Sequence, residues 1–222
     1  MNAKLVGAAL AIVALGSTPP AHASNITWAS LTSDNGLNNN PLGQVNGNAG
    51  SVSVTFQGDF SFDQLNNTGP INYWTNQTGP GGSYTPVVGA PTANSDIIAL
   101  SDAGPATITL GQKENIFIAF NSFNGADVTF SSPFTIVSQG CGYWGCGTFT
   151  ANGNNTGFTG NGELVGVLEF HDISSLTFLD TVGENWHGID IGVSPVPEPG
   201  TLALFGMALL ALGGLSLRRK AA

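Results

Sequence analysis

The body of this 222-residue chain reads as an all-β domain, a β-sandwich of jelly-roll character, and three observations carry that reading. Apolar residues recur at every second position in run after run, the period that places alternate side chains on one face of a strand. β-Branched and aromatic residues fill those runs, and clusters of Gly, Asn and Pro, which supply turn backbone, separate them. Outside the two termini no stretch keeps a 3.6-residue apolar period over a useful length, so a helix there would have no face to bury. No repeat of fixed length is present, which weighs against a propeller or a solenoid.

In chain order, residues 1–23 come first and read as a secretory signal helix. Lys4 is its positive start, and residues 5–15 are an apolar core of signal length, too short to span a membrane stably. Pro19 and Pro20 end any helix. Ala21 and Ala23 then place small residues at the two positions a signal peptidase reads, so cleavage after Ala23 would leave Ser24 first.

Residues 24–194 form the extracytoplasmic β domain, long enough for a single core. A first strand is expected over 26–31. The stretch 34–41, rich in Asn and Gly and closed by Pro41, reads as a turn. Residues 51–56 alternate strictly, with Val52, Val54 and Phe56 on one face, and Phe60 and Phe62 continue a second run. Residues 65–91 read as a long loop with one short strand at 71–74. Further strands are expected at 96–100, 106–110, 115–120, 127–130, 134–137, 163–170, 176–179 and 186–193, with Gly111, Gln112 and Lys113 as one of the separating turns.

Residues 195–222 are organised differently. A rigid turn, Pro197, Glu198 and Pro199, precedes an uncharged apolar run at 201–217, followed by Arg218, Arg219 and Lys220. The 17-residue run would make a transmembrane helix about 25 Å long, just enough for a hydrocarbon core. Basic flanks stay on the cytoplasmic side, so Arg218, Arg219 and Lys220 would act as membrane-retention residues and leave everything before residue 201 outside the cytoplasm.

The set of turn, span and basic end at the extreme C-terminus resembles the PEP-CTERM sorting signal of Gram-negative bacteria. The resemblance covers the last 27 residues or so. It implies an exosortase as partner, a membrane cysteine transpeptidase that cuts near the Pro-Glu-Pro and releases or transfers the upstream domain. It also implies association with exopolysaccharide. An ordinary membrane anchor after a Pro-rich linker is the plain alternative.

Charge narrows the partners. Of five Lys and Arg, only Lys113 lies between the signal and the tail. All 14 acidic residues precede the apolar run, so with one lysine residues 24–200 carry 13 net negative charges. Such a field excludes nucleic acid and anionic lipid surfaces as partners. The acids and the Gly/Asn/Thr content together predict a hydrated, acidic surface.

Few residues announce chemistry. Cys141 and Cys146 are the only cysteines, and outside the cytoplasm the expectation is a local disulfide presenting Tyr143 and Trp144 on its loop. Half a metal site would need a second pair, which is absent from the sequence, and no metal or cofactor is expected. Exposed aromatics make flat apolar platforms for sugars, so Tyr143 and Trp144 are candidate glycan contacts. Tyr73 and Trp74 offer the same chemistry, and burial in the core is the alternative for each pair. Calcium binding by Asp and Asn oxygens stays open, without any dense ligand spacing. Asn25, Asn66, Asn76 and Asn154 each begin an Asn-x-Ser/Thr triplet, a pattern that chance produces in an Asn/Thr-rich chain.

For catalysis, Glu163, Glu169, Asp172, Glu184 and Asp190 supply carboxylates, and His171 and His187 supply imidazoles. No nucleophile elbow or phosphate loop accompanies them. The cluster Glu169, Phe170, His171, Asp172 reads as a strand end with alternate residues facing water. The chain is therefore expected to be an exported, non-enzymatic surface or matrix protein, with a polysaccharide-active enzyme or a sugar-binding module as the alternatives.

Overall fold

The computed structural model describes residues 26–32, 40–64, 78–79, 82–83, 96–100, 104–141, 146–182 and 187–196. Among them are strands and no helix: β1 (Thr27–Trp28), β2 (Ser30–Thr32), β3 (Asn40–Ala49), β4 (Val52–Gln64), β5 (Thr78–Gly79), β6 (Gly82–Ser83), β7 (Ile97–Leu100), β8 (Gly104–Asn124), β9 (Asp127–Phe130), β10 (Thr135–Gly140), β11 (Gly147–Ala151), β12 (Gly157–Asp180) and β13 (His187–Ser194). The expected signal helix, the strand at 71–74 and the apolar run at 201–217 lie outside the described residues. Among the described residues no helix is long and apolar enough to cross a membrane.

The all-β reading holds, but the sheet arrangement differs from two separate layers. Apart from the small β5–β6 hairpin, the strands form a single 11-stranded antiparallel sheet that closes on itself. β4 pairs the first half of β8 from Val54↔Leu110 to Gly58↔Ala106, then leaves it to pair β7 from Phe60↔Leu100 to Gln64↔Ile97. β7 pairs β13, and β13 pairs the second half of β8 from Gly188↔Asn121 to Ser194↔Asn115. The circuit β4–β8–β13–β7 is closed, so the sheet is barrel-like. β12 follows β8 along nearly its whole length and pairs β9 with both of its ends.

Long strands make this closure possible by bending where the sequence suggests turns. Gly111, Gln112 and Lys113 sit inside the 21-residue β8. Opposite them, the 24-residue β12 shifts register between Phe170 and Ser175 and holds Asp172 at φ 50°. An extra unpaired residue bends a strand and raises its twist without ending it. Two walls result. The front wall joins β3, the first half of β4, the first half of β8, the second half of β12, and β9. The rear wall joins β7, β13, the second half of β8, the first half of β12, and β10.

The core lies between the walls. Val54, Phe56, Ile108, Leu110, Leu176 and Phe178 from the front meet Ile118, Phe120, Leu168, Ile189 and Ile191 from the rear in one buried cluster. At one end the core is aromatic: Phe120 meets Phe123, Phe149 and Phe158 edge-on at 4.8, 5.9 and 5.6 Å, and Phe130 lies 4.9 Å from Phe170. The outer face of the rear wall is also buried, around Ile97, Phe117, Ala119, Val165 and Val167. Ile26, Trp28 and Val137 pack against that second cluster.

Candidate functional sites

The sorting residues Pro197, Glu198, Pro199, Arg218, Arg219 and Lys220, like Ala21 and Ala23, lie outside the described residues. The structure does show where the chain departs toward them. β13 is paired by β8, β7 and β1, and its last residue, Ser194, is buried. Pro195, the next residue, is exposed. Pro197 stands three residues past Ser194, at most about 10 Å of extended chain. β1 lies antiparallel to the end of β13, with Thr27 opposite Val193 and Trp28 opposite Gly192. Ala23 precedes Thr27 by four residues, about 14 Å at most. The expected signal-peptidase site and the sorting turn therefore attach to the same end of the domain.

Cys141 and Cys146 are joined as a disulfide with a Cα–Cα distance of 4.1 Å, across an antiparallel bridge between the ends of β10 and β11. Both strands pair with β12. Tyr143 and Trp144, the candidate glycan contacts, fall in residues 142–145, outside those described.

Most of the described acidic residues do not add to the acidic surface that composition suggests. Among the described residues Asp96, Glu114, Glu163, Glu169, Asp180 and Asp190 are all buried. Carboxylates this enclosed need partners. Asp96 accepts from the Leu31 amide at 2.5 Å, Asp180 from the Val182 amide at 3.1 Å, and Glu114 from the Gln112 side chain.

The stretch Glu169–Asp172 is likewise no strand end facing water. It is the bend of β12, stitched to the bend of β8. Asn115 donates to Glu169 Oε1 at 3.2 Å and accepts from the Asp172 amide at 3.1 Å, so one side chain spans the bulge. His171 Nδ1 stands 3.5 Å from the buried Glu169 carboxylate, and its Nε2 lies 3.4 Å from Thr135 Oγ1. Lys113 pairs with Asp172 at 3.6 Å, both exposed, so this pair adds little stability.

Glu163, Glu169 and Asp190 all project from the outer face of the rear wall. Glu169 pairs Phe117, which pairs Gly192, two residues from Asp190. Strand spacing then puts the Glu169 and Asp190 Cα atoms about 12 Å apart. Glu184 and the side chain of His187 lie outside what is described. Among the described residues no group of three or more His, Cys, Asp or Glu stands close enough to hold a metal ion.

The outer face of the front wall has a different character. Asn46, Thr55, Thr109 and Ser175 are successive cross-strand partners on it, and Gln44, Gln57, Thr107 and Thr177 form the next row. All of these are exposed or partly exposed. Asn46 Oδ1 accepts from Thr55 Oγ1 at 3.0 Å and from Gln44 Nε2 at 2.9 Å. The Thr107 and Thr177 hydroxyls meet at 3.2 Å. Past the edge of this wall lies an open cleft of about 240 Å³ lined by Asp127, Thr129, Thr150, Asn152 and Phe158 among others, smaller than the roughly 300–1,000 Å³ of enclosed ligand pockets.

Residues 195–220 match the family described as the PEP-CTERM protein-sorting motif. Neither curated proteins nor solved structures give a significant match to the chain.

Proposed function

We propose that this chain is an exosortase-processed surface or extracellular-matrix protein whose β domain is structural and binds or rests in exopolysaccharide. The chain carries a PEP-CTERM sorting motif. That motif implies an exported precursor, anchored in the membrane, handed to an exosortase and sorted to the cell surface. This one observation carries the reading. The finer steps belong to the proposal: signal peptidase cuts after Ala23, the helix at 201–217 holds the precursor, Arg218, Arg219 and Lys220 keep its end in the cytoplasm, and the exosortase cuts near Pro197, Glu198 and Pro199.

Two features support a non-enzymatic domain. The about 12 Å between the Glu169 and Asp190 Cα atoms, with both side chains normal to the sheet, contrasts with the roughly 5–9.5 Å between carboxyl groups that glycoside hydrolysis uses. The exposed polar rows of the front wall form a broad surface, not a cleft. A second reading, a polysaccharide-active enzyme, has one observation in its favour: His171 lies between a hydroxyl and a buried carboxylate, the order of groups in a general-base relay. If it held, His171→Ala would abolish polysaccharide cleavage while leaving the fold intact; unchanged turnover would remove it. Sugar binding through Tyr143 and Trp144 is a further form of the matrix reading.

The sorting assignment is tested by deleting Pro197–Pro199 in the producing bacterium and fractionating the cells. The precursor should accumulate in the inner membrane. Unchanged processing and surface display would show that the tail is not the signal.

A further inference from the structure

We propose that the outer face of the front wall is a docking surface for a neutral, hydroxyl-rich polysaccharide chain. The proposal rests on the reading that the domain works outside the cell, and it names the surface and the class of partner. Thr55, Gln57, Thr107, Thr109, Ser175 and Thr177 sit at its centre, contributed by three adjacent strands in unbroken register. Strand geometry places these groups on a lattice of about 4.8 Å between strands and about 7 Å between successive outward residues. Each presents a hydroxyl or an amide, groups that both donate and accept hydrogen bonds.

Charge selects the partner. Residues 24–200, between the expected signal and the apolar run, have 13 more acids than bases, from 14 acids and one lysine, yet no described side chain in the two rows is charged. The described acids are mostly buried. Asp127 at the start of β9 and Lys113 in the β8 bend stand at the margins, and Asp59 of β4 lies past the last β4–β8 pair, Gly58↔Ala106. An anionic polymer would meet the net negative field with no cation in the rows to hold it, the marginal Lys113 being paired with Asp172. A polycation would find no carboxylate in the rows. A lipid surface would find little apolar area, since Leu179, at 40 % exposure, is the one large exposed hydrophobic among the described residues. A neutral polyol exchanges hydrogen bonds with water for equivalent ones along the lattice and suffers none of these penalties.

The face is also prepared for such a partner. Hydrogen bonds among Gln44, Asn46 and Thr55, and between Thr107 and Thr177, hold the side chains in place before anything binds. Prior ordering lowers the entropic cost of association. The rear wall supplies the contrast: its outer face is buried around Phe117 and Val167, whereas the front rows stay open to solvent.

The test uses the full chain in mild detergent, run by affinity electrophoresis through gels containing neutral β-glucan, dextran or polygalacturonate, with pull-down on amorphous cellulose. Retardation by at least one neutral polymer, and none by polygalacturonate, is the expected result. Thr107→Val with Thr177→Val removes two hydroxyls at nearly constant shape and should weaken retention at least ten-fold. Thr148→Val, on β11, should change nothing. Thermal melting of each variant checks folding, and Thr109→Lys, which adds a charge without touching the core, serves as a second loss-of-binding variant. No retention by any neutral polymer, equal retention by polygalacturonate, or retention indifferent to the front-wall variants overturns the proposal. Self-association by ultracentrifugation that the same variants abolish, without polymer binding, would assign the face to a second copy instead. Surface display and tail processing, followed separately in cells, report on the broader reading: a displayed, processed protein that ignores neutral polymers sinks only this inference, and a protein that is never exported sinks both.

Discussion

Asp96 illustrates how this protein uses its acids. Its carboxylate accepts the Leu31 amide hydrogen inside the fold, tying β2 to the start of β7. Removing the acceptor strands a buried N–H, so Asp96→Ala should destabilise by about 1–3 kcal/mol, whereas Asp96→Asn, which keeps a carbonyl oxygen, should lose less. Urea denaturation of the three proteins decides this; equal stability of wild type and Asp96→Ala would deny the bond any weight. Phe120 sets the scale for the core. Fully buried and in edge-on contact with Phe123, Phe149 and Phe158, it should lose about 3–5 kcal/mol on truncation to Ala. Composition counts the 14 acids correctly but assigns them to the surface. Burial depends on partners far away in sequence, such as Leu31 for Asp96 and Asn115 for Glu169, and no local pattern announces those pairings.

Among the elements, the runs at 106–110, 115–120, 127–130, 163–170 and 176–179 were legible as strands and fall in strands, and the alternating run at 51–56 does so from Val52 onward. Their joining was not legible, because a glycine or polar insert looks the same whether it makes a turn or a bulge. Gly111 to Lys113 and His171 to Asp172 bend β8 and β12 together and convert expected strand ends into the corner of a barrel. β3 and β11 were missed for another reason: Gly and Asn dominate β3, and β11 buries only Phe149, so neither shows an apolar stripe. The candidate site residues at both termini and at 142–145 rest on sequence motifs and lie outside the described residues, while the front-wall rows were not legible, since they exist only once register aligns separate strands. Gly192 tests the docking of β1, since a Cβ there would fall 2.6 Å from Ile26 Cγ2 and 2.9 Å from Trp28 Cε3. Gly192→Ala should cost about 1–3 kcal/mol by overpacking and speed amide exchange at residues 26–28; unaltered exchange would mean β1 adapts freely. Reducing the Cys141–Cys146 bridge should cost only about 2 kcal/mol, because the ring it closes is short, and should leave the denaturation transition cooperative.

At the scale of the whole molecule, the chain is a β domain carried between two expected membrane-directed segments, and its fold brings their attachment points together. β1 and the end of β13 lie side by side, so a precursor holding both the signal and the tail in one bilayer would present the domain by a single end. The sorting motif at 195–220 implies an exported, exosortase-targeted precursor, and on the proposed reading cleavage would follow close to the last strand. The most direct measurement is the intact mass of the protein recovered from the surface and medium of the producing cells. The expected product begins at Ser24 and ends near Pro197–Pro199, with or without an attached group. An unprocessed chain of 222 residues, soluble in the cytosol with both termini in place, would contradict it.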